Sequence, residues 1–342
     1  MYKEAAVLPS AAADKRQMGL QRWLADLGRH YDSLVPISGD ASFRRYFRLT
    51  QGRMSWIAMD APPERESSAE FVDIANKLQA MGVNAPQVVS VDLQRGYLLL
   101  ADLGGQHYLD ALSPLSADKL YAAAMDTLER LQLGGGELAG QLPLYDEPLL
   151  QREMALFPEW LLSRHLQLEV DAGLDALLQE CFAELTRSAL EQPRVCVHRD
   201  YHSRNLMVVP GAPPGVLDFQ DAVYGPITYD LVSLLKDAYI AWPQDQVTAW
   251  AQAYRTRPAL RGLTGDVSAE QWQRWFDLMG LQRHLKVAGI FARLWYRDGK
   301  GGYLKDIPRT VHYMVEVTAR YGEFSGLHRL LTDQVLPGLG QA

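Results

Sequence analysis

The chain has 342 residues, 34 Lys and Arg against 41 Asp and Glu for a formal charge of −7, and 48% hydrophobic residues. That balance excludes a largely disordered chain and a broad basic surface for nucleic acid, because phosphate contacts need clustered Lys and Arg. The length favours two domains. Cys181 and Cys196 lack CxxC spacing, no apolar run approaches the roughly 20 residues of a membrane span, and Pro9 interrupts the apolar N-terminal stretch, so a reducing, cytoplasmic setting is expected.

Residues 15–36 read as an amphipathic helix, carried by Met18, Leu20, Trp23, Leu24 and Leu27, that ends near Gly28 before a turn at 38–42. Residues 43–50 and 55–61 carry β-formers on either side of Gln51 and Gly52 and predict a hairpin. Two more strands are expected at 87–92 and 97–101. A helix over 66–81, with Phe71, Ile74, Ala75 and Leu78 on one face, separates the two pairs. After Asp102, Leu103, Gly104 and Gly105 the pattern becomes helical, which sets the expected boundary between domains 1–101 and 102–342. Ser116 is the expected cap of a helix that stops at Gly134, and further helices fit 147–167 and 171–191. Short strands follow at 194–197 and on either side of a Gly211–Gly215 turn. The chain is helical again from Tyr229, with its longest helix at 268–297, opened by a Ser268/Gln271 capping box and bent at Gly280 or Gly289.

The strongest chemical signal is His198-Arg199-Asp200-Tyr201-His202-Ser203-Arg204-Asn205, followed by Asp218-Phe219-Gln220. This is the H-R-D-x-x-x-x-N spacing of kinase catalytic loops, with Asp-Phe where kinases carry D-F-G. Asp200 suits a general base that takes the proton of an attacking hydroxyl. Asn205 and Asp218 supply the hard oxygen atoms that magnesium demands, leaving positions for the phosphates of ATP. The residues between them leave room for one hairpin, which would fold Asp218 back beside Asn205. Other patterns carry less. The G-x-G-x-x-A run from Gly134 follows a helix instead of a strand, and no G-x-x-x-x-G-K-[ST] is present. No H-E-x-x-H marks a zinc site, and Trp272, Trp275, Phe276 and Met279 fall at helical spacing as core.

With these residues in hand, the chain resembles the aminoglycoside phosphotransferase and choline kinase superfamily through VCVHRDYHSRNLMV, GVLDFQDAVYGPITYDLVSLL and LLLADLGG. The resemblance implies an α+β, two-lobed, protein-kinase-like fold from about residue 34: a small β-rich N-lobe that binds nucleotide and a larger, mainly helical C-lobe for catalysis and acceptor binding. Within the superfamily, SGDASFRRYFRL, DFQDAVYGPITYDLVSLLKDAY and QRHLKVAGIFARL are similar to the bacterial anomeric sugar kinases of cell-wall recycling, which act on N-acetylmuramate and N-acetylglucosamine. It implies ATP and Mg2+ as cofactors, main-chain groups of Ala101, Asp102 and Leu103 at the adenine edge, and Ser42 over the nucleotide.

Two features depart from the protein-kinase pattern. The 38–42 turn offers one glycine where protein kinases have three. The strand Trp56-Ile57-Ala58-Met59 lacks the phosphate-pairing lysine, which leaves Arg44 or Arg45 as its expected replacement and its ion pair with a helix acid such as Glu70 open. On the acceptor side Tyr224, Arg283 and His284, with Lys286 nearby, are expected to meet the sugar and its lactyl carboxylate, while Asp230 anchors the catalytic loop. An aminoglycoside, choline or other alcohol acceptor is the alternative, and an inactive nucleotide-binding module a further one. A small-molecule amino sugar is the only expected partner, of a monomer that binds neither nucleic acid nor membrane.

Overall fold

The computed structural model describes residues 11–37 and 43–340, so the turn at 38–42, including Ser42, lies outside the described residues. The chain divides into two compact units. One takes residues up to 105 together with 209–220, and the other takes 106–208 and 221 onward.

In the first unit, α1 (Ala11–Asp26) ends where Gly28 enters the left-handed region at φ +69° and turns the chain into β1 (Ser33–Ile37). The helical reading of 15–36 is therefore corrected beyond Asp26, and its last four residues, 33–36, belong to a strand. Pro36 disguised that strand, since proline is tolerated only where a strand edge needs no amide donor, and β1 is an edge. The hairpin is formed by β2 (Arg45–Gln51) and β3 (Met54–Asp60), turning through Gly52 at φ +58°. α2 (Ser68–Ala80) precedes β4 (Val88–Asp92) and β5 (Tyr97–Ala101), and the antiparallel sheet runs β1-β2-β3-β5-β4.

Period-two alternation decides what each strand residue meets. Phe47 and Leu49 of β2, Ala58 of β3, and Tyr97 and Leu99 of β5 form one core with Leu20, Trp23 and Leu24 of α1. Met18 and Leu27, expected on the same helix face, are exposed. Arg45 lies in register with Asp60, whose 0% exposed carboxylate also pairs with Arg16 of α1; both ion pairs are 2.5 Å long. Such a carboxylate is tolerable only because two guanidinium groups replace its water. α2 buries Phe71, Ile74, Ala75 and Leu78 as expected, capped by the Ser67 hydroxyl.

The second unit begins with α3 (Tyr108–Ala111), α4 (Ala117–Gly134), α5 (Glu147–Met154), a wider π-helical stretch at Phe157–His165, and α6 (Ala172–Leu190). The single helix expected over 147–167 breaks because Pro158 has no amide proton for the α-helical ladder. Ser116 does not cap α4: its hydroxyl accepts the Ser113 amide at 2.9 Å and donates to the Ala111 carbonyl at 2.7 Å. β6 (Arg194–Val197) and β7 (Leu206–Met207) flank the catalytic segment; β8 (Gly215–Val216) lies in the excursion assigned to the first unit, and β9 (Val223–Pro226) pairs antiparallel with β6. The strands around 205–219 are shorter than expected, since Pro210, Pro213 and Pro214 cannot donate to a ladder.

The remaining helices are α7 (Tyr229–Leu235), α8 (Gln244–Arg255), α9 (Arg261–Thr264), α10 (Ala269–Asp298), α11 (Ile307–Arg320), α12 (Ser325–Leu330) and α13 (Leu336–Leu339). Ser268 caps α10 by accepting the Gln271 amide at 3.1 Å, but the Gln271 side chain reaches Glu191, so only half of the capping box forms. Gly289 has a packing reason. A Cβ there would lie 2.4 Å from the Leu156 main chain, so only glycine permits this approach of α10 to the end of α5.

Candidate active site

The segment with the kinase-loop spacing follows β6 and is fixed by two buried aspartates. Asp230, at the start of α7 and 0% exposed, accepts the His198 amide at 2.7 Å and the Arg199 amide at 3.0 Å, the anchoring role expected of it. Burial pushes the Asp230 carboxyl up to about 7 against the pull of these two amides. Asp237 accepts the Ser203 amide at 2.9 Å from the other end. Within the loop the His202 amide donates to the Asp200 carbonyl at 3.0 Å, and the Asn205 side-chain nitrogen donates to the same carbonyl at 3.0 Å. That bond directs the other amide atom, the Asn205 oxygen, away as an acceptor. Arg199 stands in the left-handed region at φ +74°, a conformation costing a non-glycine residue on the order of 1 kcal/mol, which the surrounding bonds must hold.

Burial works against ionisation of Asp200, but the field of Lys286, then His202, Arg283 and His198, outweighs it and holds the carboxyl below the usual carboxylate range. Lys286 of α10 is itself bound, at 2.9 Å to Glu153 of α5 and 3.0 Å to the Tyr229 hydroxyl. Glu153 also receives Arg199 and the Tyr145 hydroxyl, and Gln282 donates to that hydroxyl at 3.2 Å. Arg283 is 2% exposed, and its Nε and one terminal nitrogen have no hydrogen-bond acceptor among the described residues.

Of the other residues expected on the acceptor side, His284 is corrected as a source of charge. Burial, then neighbouring Arg283, lowers its imidazole to about 3, and the neutral ring stacks on Tyr313 with its Nε2 against the Lys236 carbonyl. Tyr224 sits in β9 opposite Cys196, its main chain bonded to Pro143 and Tyr145.

In the first unit Asp218 is exposed and left-handed at φ +62°, and accepts the Gln220 side-chain amide at 2.7 Å. Phe219 behind it packs on Phe71, ring centroids 4.9 Å apart. Arg44, 8% exposed, pairs with Glu66 at 3.0 Å and lies over the Phe71 ring. Both Arg44 and Asp218 act electrostatically on Tyr46. The acid partner is thus Glu66, not Glu70, whose amide is the one capped by Ser67. Glu66 opens the helix expected over 66–81 but lies just ahead of α2 in the structure, and its place outside the apolar face of that helix gave no sign of a role.

Asp102 accepts Arg48 at 2.7 and 3.2 Å and the Gly104 amide at 2.9 Å, so its side chain shapes the turn. The Ala101 amide is taken by the Gln87 carbonyl. Among the described residues, the Leu103 amide and the Asp102 carbonyl have no backbone partner.

Taken each by itself, the Asn205 carboxamide and the Asp218 carboxylate offer hard oxygen atoms of the kind magnesium takes. Among the described residues no group of three or more His, Cys, Asp or Glu forms a separate metal cluster, and no helix is long and apolar enough to cross a membrane.

Residues 33–263 match the model of the phosphotransferase enzyme family. The chain is 49% identical over 300 residues to the N-acetylmuramate/N-acetylglucosamine kinase of Pseudomonas aeruginosa, covering 88% of each chain. It is 43% identical to the protein of the same name from Neisseria meningitidis, covering 94% of this chain and 96% of that one. Among solved structures, choline kinase LicA from Streptococcus pneumoniae superposes with a TM-score of 0.60 at 12% identity, over 90% of this chain and all of that one. That likeness is one of fold, and it bears out the two-lobed, protein-kinase-like α+β class expected from the sequence.

Proposed function

The chain belongs to the phosphotransferase enzyme family, and from that premise we propose that it transfers the terminal phosphoryl group of ATP to the anomeric hydroxyl of N-acetylmuramate or N-acetylglucosamine. The observation that carries the chemistry is Asp200, a carboxylate kept ionised among cations on a loop anchored by two buried aspartates. The names and near-complete coverage of the relatives support the sugar. A place in peptidoglycan recycling, as a cytoplasmic monomer, completes the proposal. The positive field on Asp200, from Lys286 first and then His202 and Arg283, disfavours choline or a polycationic aminoglycoside, for which an acid-rich pocket would be needed. The intact Asp200, Asn205 and Asp218 weigh against an inactive module.

Asp200 accepts a hydrogen bond from the acceptor hydroxyl and takes its proton as the new O–P bond forms and the bond from the γ-phosphorus to the bridging oxygen breaks, releasing ADP. A carboxylate is a weak base. Its best partner is the most acidic hydroxyl of a free sugar, the anomeric one, and a loose phosphoryl-transfer transition state needs little proton abstraction beforehand. Asn205 and Asp218 would hold magnesium, which when bound offsets charge on the phosphates. The Leu103 amide and Asp102 carbonyl suit the adenine edge.

The product should be a sugar 1-phosphate, shown by coupling of phosphorus to the anomeric proton in NMR. The methyl glycoside, which keeps every other hydroxyl, should drive no ATP consumption. Coupling to the C6 methylene, or steady phosphorylation of the glycoside, would discard the anomeric assignment while keeping the kinase.

Arg44 takes the place of the missing strand lysine in this reading, because Arg45 is already occupied by Asp60 whereas Arg44 shares its surroundings with Glu66, Tyr46 and Asp218. Arg44→Ala should raise the KM for ATP by about tenfold to a hundredfold, the scale of losing a charge-assisted contact. Arg45→Ala should act on thermal stability. Steady-state kinetics at varied ATP separates the two, and a raised KM in the Arg45 variant alone would reverse the assignment.

A further inference from the structure

Arg283 stands at the middle of α10, one turn before Lys286, and side chains at this spacing have Cβ atoms about 5–6 Å apart on one helix face. Printed bonds tie that face to the loop that carries Asp200. Lys286 meets Glu153 at 2.9 Å, and Glu153 receives Arg199, the residue directly before Asp200. Lys286 also reaches the Tyr229 hydroxyl at 3.0 Å, and Tyr229 directly precedes Asp230, the anchor of the loop. Arg283 acts electrostatically on both Asp200 and Asp230. It is bonded to neither through its Nε or one of its terminal nitrogens, which meet no acceptor among the described residues although the side chain is only 2% exposed. Both Asp230 oxygens are already taken by the His198 and Arg199 amides.

Neighbouring buried cations are answered differently. Lys286 has Glu153, and Lys236 of α7 has Asp277 at 2.9 Å. A guanidinium withdrawn from water without acceptors costs free energy in the unliganded protein, a cost that an apolar side chain would avoid. Its acceptor is therefore sought in a ligand, and its planar fork matches a carboxylate bidentately. The nucleotide is the weaker source of that anion, because Arg44 and magnesium answer the phosphates in the reading above, whereas Arg283 belongs to the same unit as Asp200. Of the two sugars, N-acetylglucosamine is neutral and N-acetylmuramate carries one carboxylate, on a lactyl ether at C3. Two ring carbons separate C3 from the reacting C1, and the ether adds a rotatable arm. An anomeric hydroxyl on Asp200 thus leaves the carboxylate free to turn toward a cation of the same neighbourhood.

We propose that Arg283 receives the lactyl carboxylate and favours N-acetylmuramate over N-acetylglucosamine, an inference that rests on the sugar-kinase reading above. With N-acetylmuramate bound, the guanidinium gains the acceptors it lacks; with N-acetylglucosamine it does not.

The test is steady-state kinetics of the full chain at saturating ATP with N-acetylmuramate, its lactyl amide and N-acetylglucosamine in turn. The amide keeps the size of the arm and removes its charge. Wild type should prefer the acid to the amide by at least about tenfold in kcat/KM, the scale of one charge-assisted pair. Arg283→Gln should abolish that preference, and Arg283→Lys, which keeps the charge but loses the planar fork, should fall between. Any effect of Arg283 on Asp200 is common to the three sugars and cancels in their ratios. Equal use of acid and amide by the wild type, or an acid-to-amide ratio that stays at its wild-type size in either Arg283 variant, overturns the assignment. Equal losses on all three sugars overturn it too and place the guanidinium on the transferred phosphoryl group. Wild-type protein that phosphorylates none of them overturns the sugar-kinase reading itself, and this inference with it.

Discussion

Asp200→Asn should lower kcat by about 10²–10⁴-fold, the range over which a positioned general base contributes, while the protein still binds nucleotide. The substitution keeps the shape of the side chain and leaves the main-chain carbonyl that receives His202 and Asn205, so the loop should stay in place. Asp218→Ala should stop turnover differently, by removing an oxygen ligand, so that magnesium-dependent nucleotide binding weakens in titration calorimetry. The pH profile gives a second check. Lys286, His202, Arg283 and His198 hold the Asp200 carboxyl below the usual range, so the active, ionised form persists from neutral pH down to that lowered value. The acid limb of kcat/KM should therefore lie below the ordinary carboxylate range. Near-wild-type turnover of Asp200→Asn would remove Asp200 from the role of base.

The loop with the H-R-D-x-x-x-x-N spacing stood out because the chemistry proposed for it depends on residue types at fixed separations along one short stretch. The hairpin of β2 and β3 and the apolar face of α2 were legible for a similar reason, since periodicity and turn residues act locally. What escaped the sequence depends on pairs far apart in it. Glu153 and Lys286 are 133 positions apart, as 286 − 153; Lys286 was expected near the sugar and Glu153 alone reads as a solvated charge on a helix, so nothing paired them. Tyr239 and Tyr303 occupy segments with no periodic pattern, and Arg204, which lies over both rings, fills a position that the kinase spacing leaves open. The last residues of the 15–36 segment were misread because a proline in a strand is acceptable only at an edge, and edges are a property of the whole sheet. His284 illustrates the remaining difficulty: beside Arg283 it reads as a second cation, yet burial and that very neighbour keep it neutral.

Glu153→Gln should destabilise the protein by about 3–5 kcal/mol, the cost of stranding buried charge by removing one partner. Glu153 serves two cations at once, Lys286 and Arg199, and accepts the Tyr145 hydroxyl; glutamine has nearly the same shape but no charge for either. At roughly 2–4 °C per kcal/mol for a unit of this size, the melting temperature should fall by about 10 °C. Glu153→Gln combined with Lys286→Met should recover part of that loss, since one of the two stranded cations goes as well. The sign of the pH dependence follows from both partners. Burial opposes the charge on Glu153, but Lys286 and Arg199 leave its carboxyl lowered; the stabilisation is present above the ordinary carboxylate range and is lost as pH falls through the folded value. Burial likewise opposes the charge on Lys286, but Tyr229 and Glu153 leave its ammonium raised; its share is present below the ordinary lysine range and is lost as pH rises through the folded value. The gap in melting temperature between wild type and Glu153→Gln should thus be widest near neutral pH and close toward acid. A variant that melts with the wild type at neutral pH would mean that water already shields these three charges. Among the described residues, Arg199, at φ +74° directly before Asp200, would then be held through Asp230 and the Asp221 carbonyl.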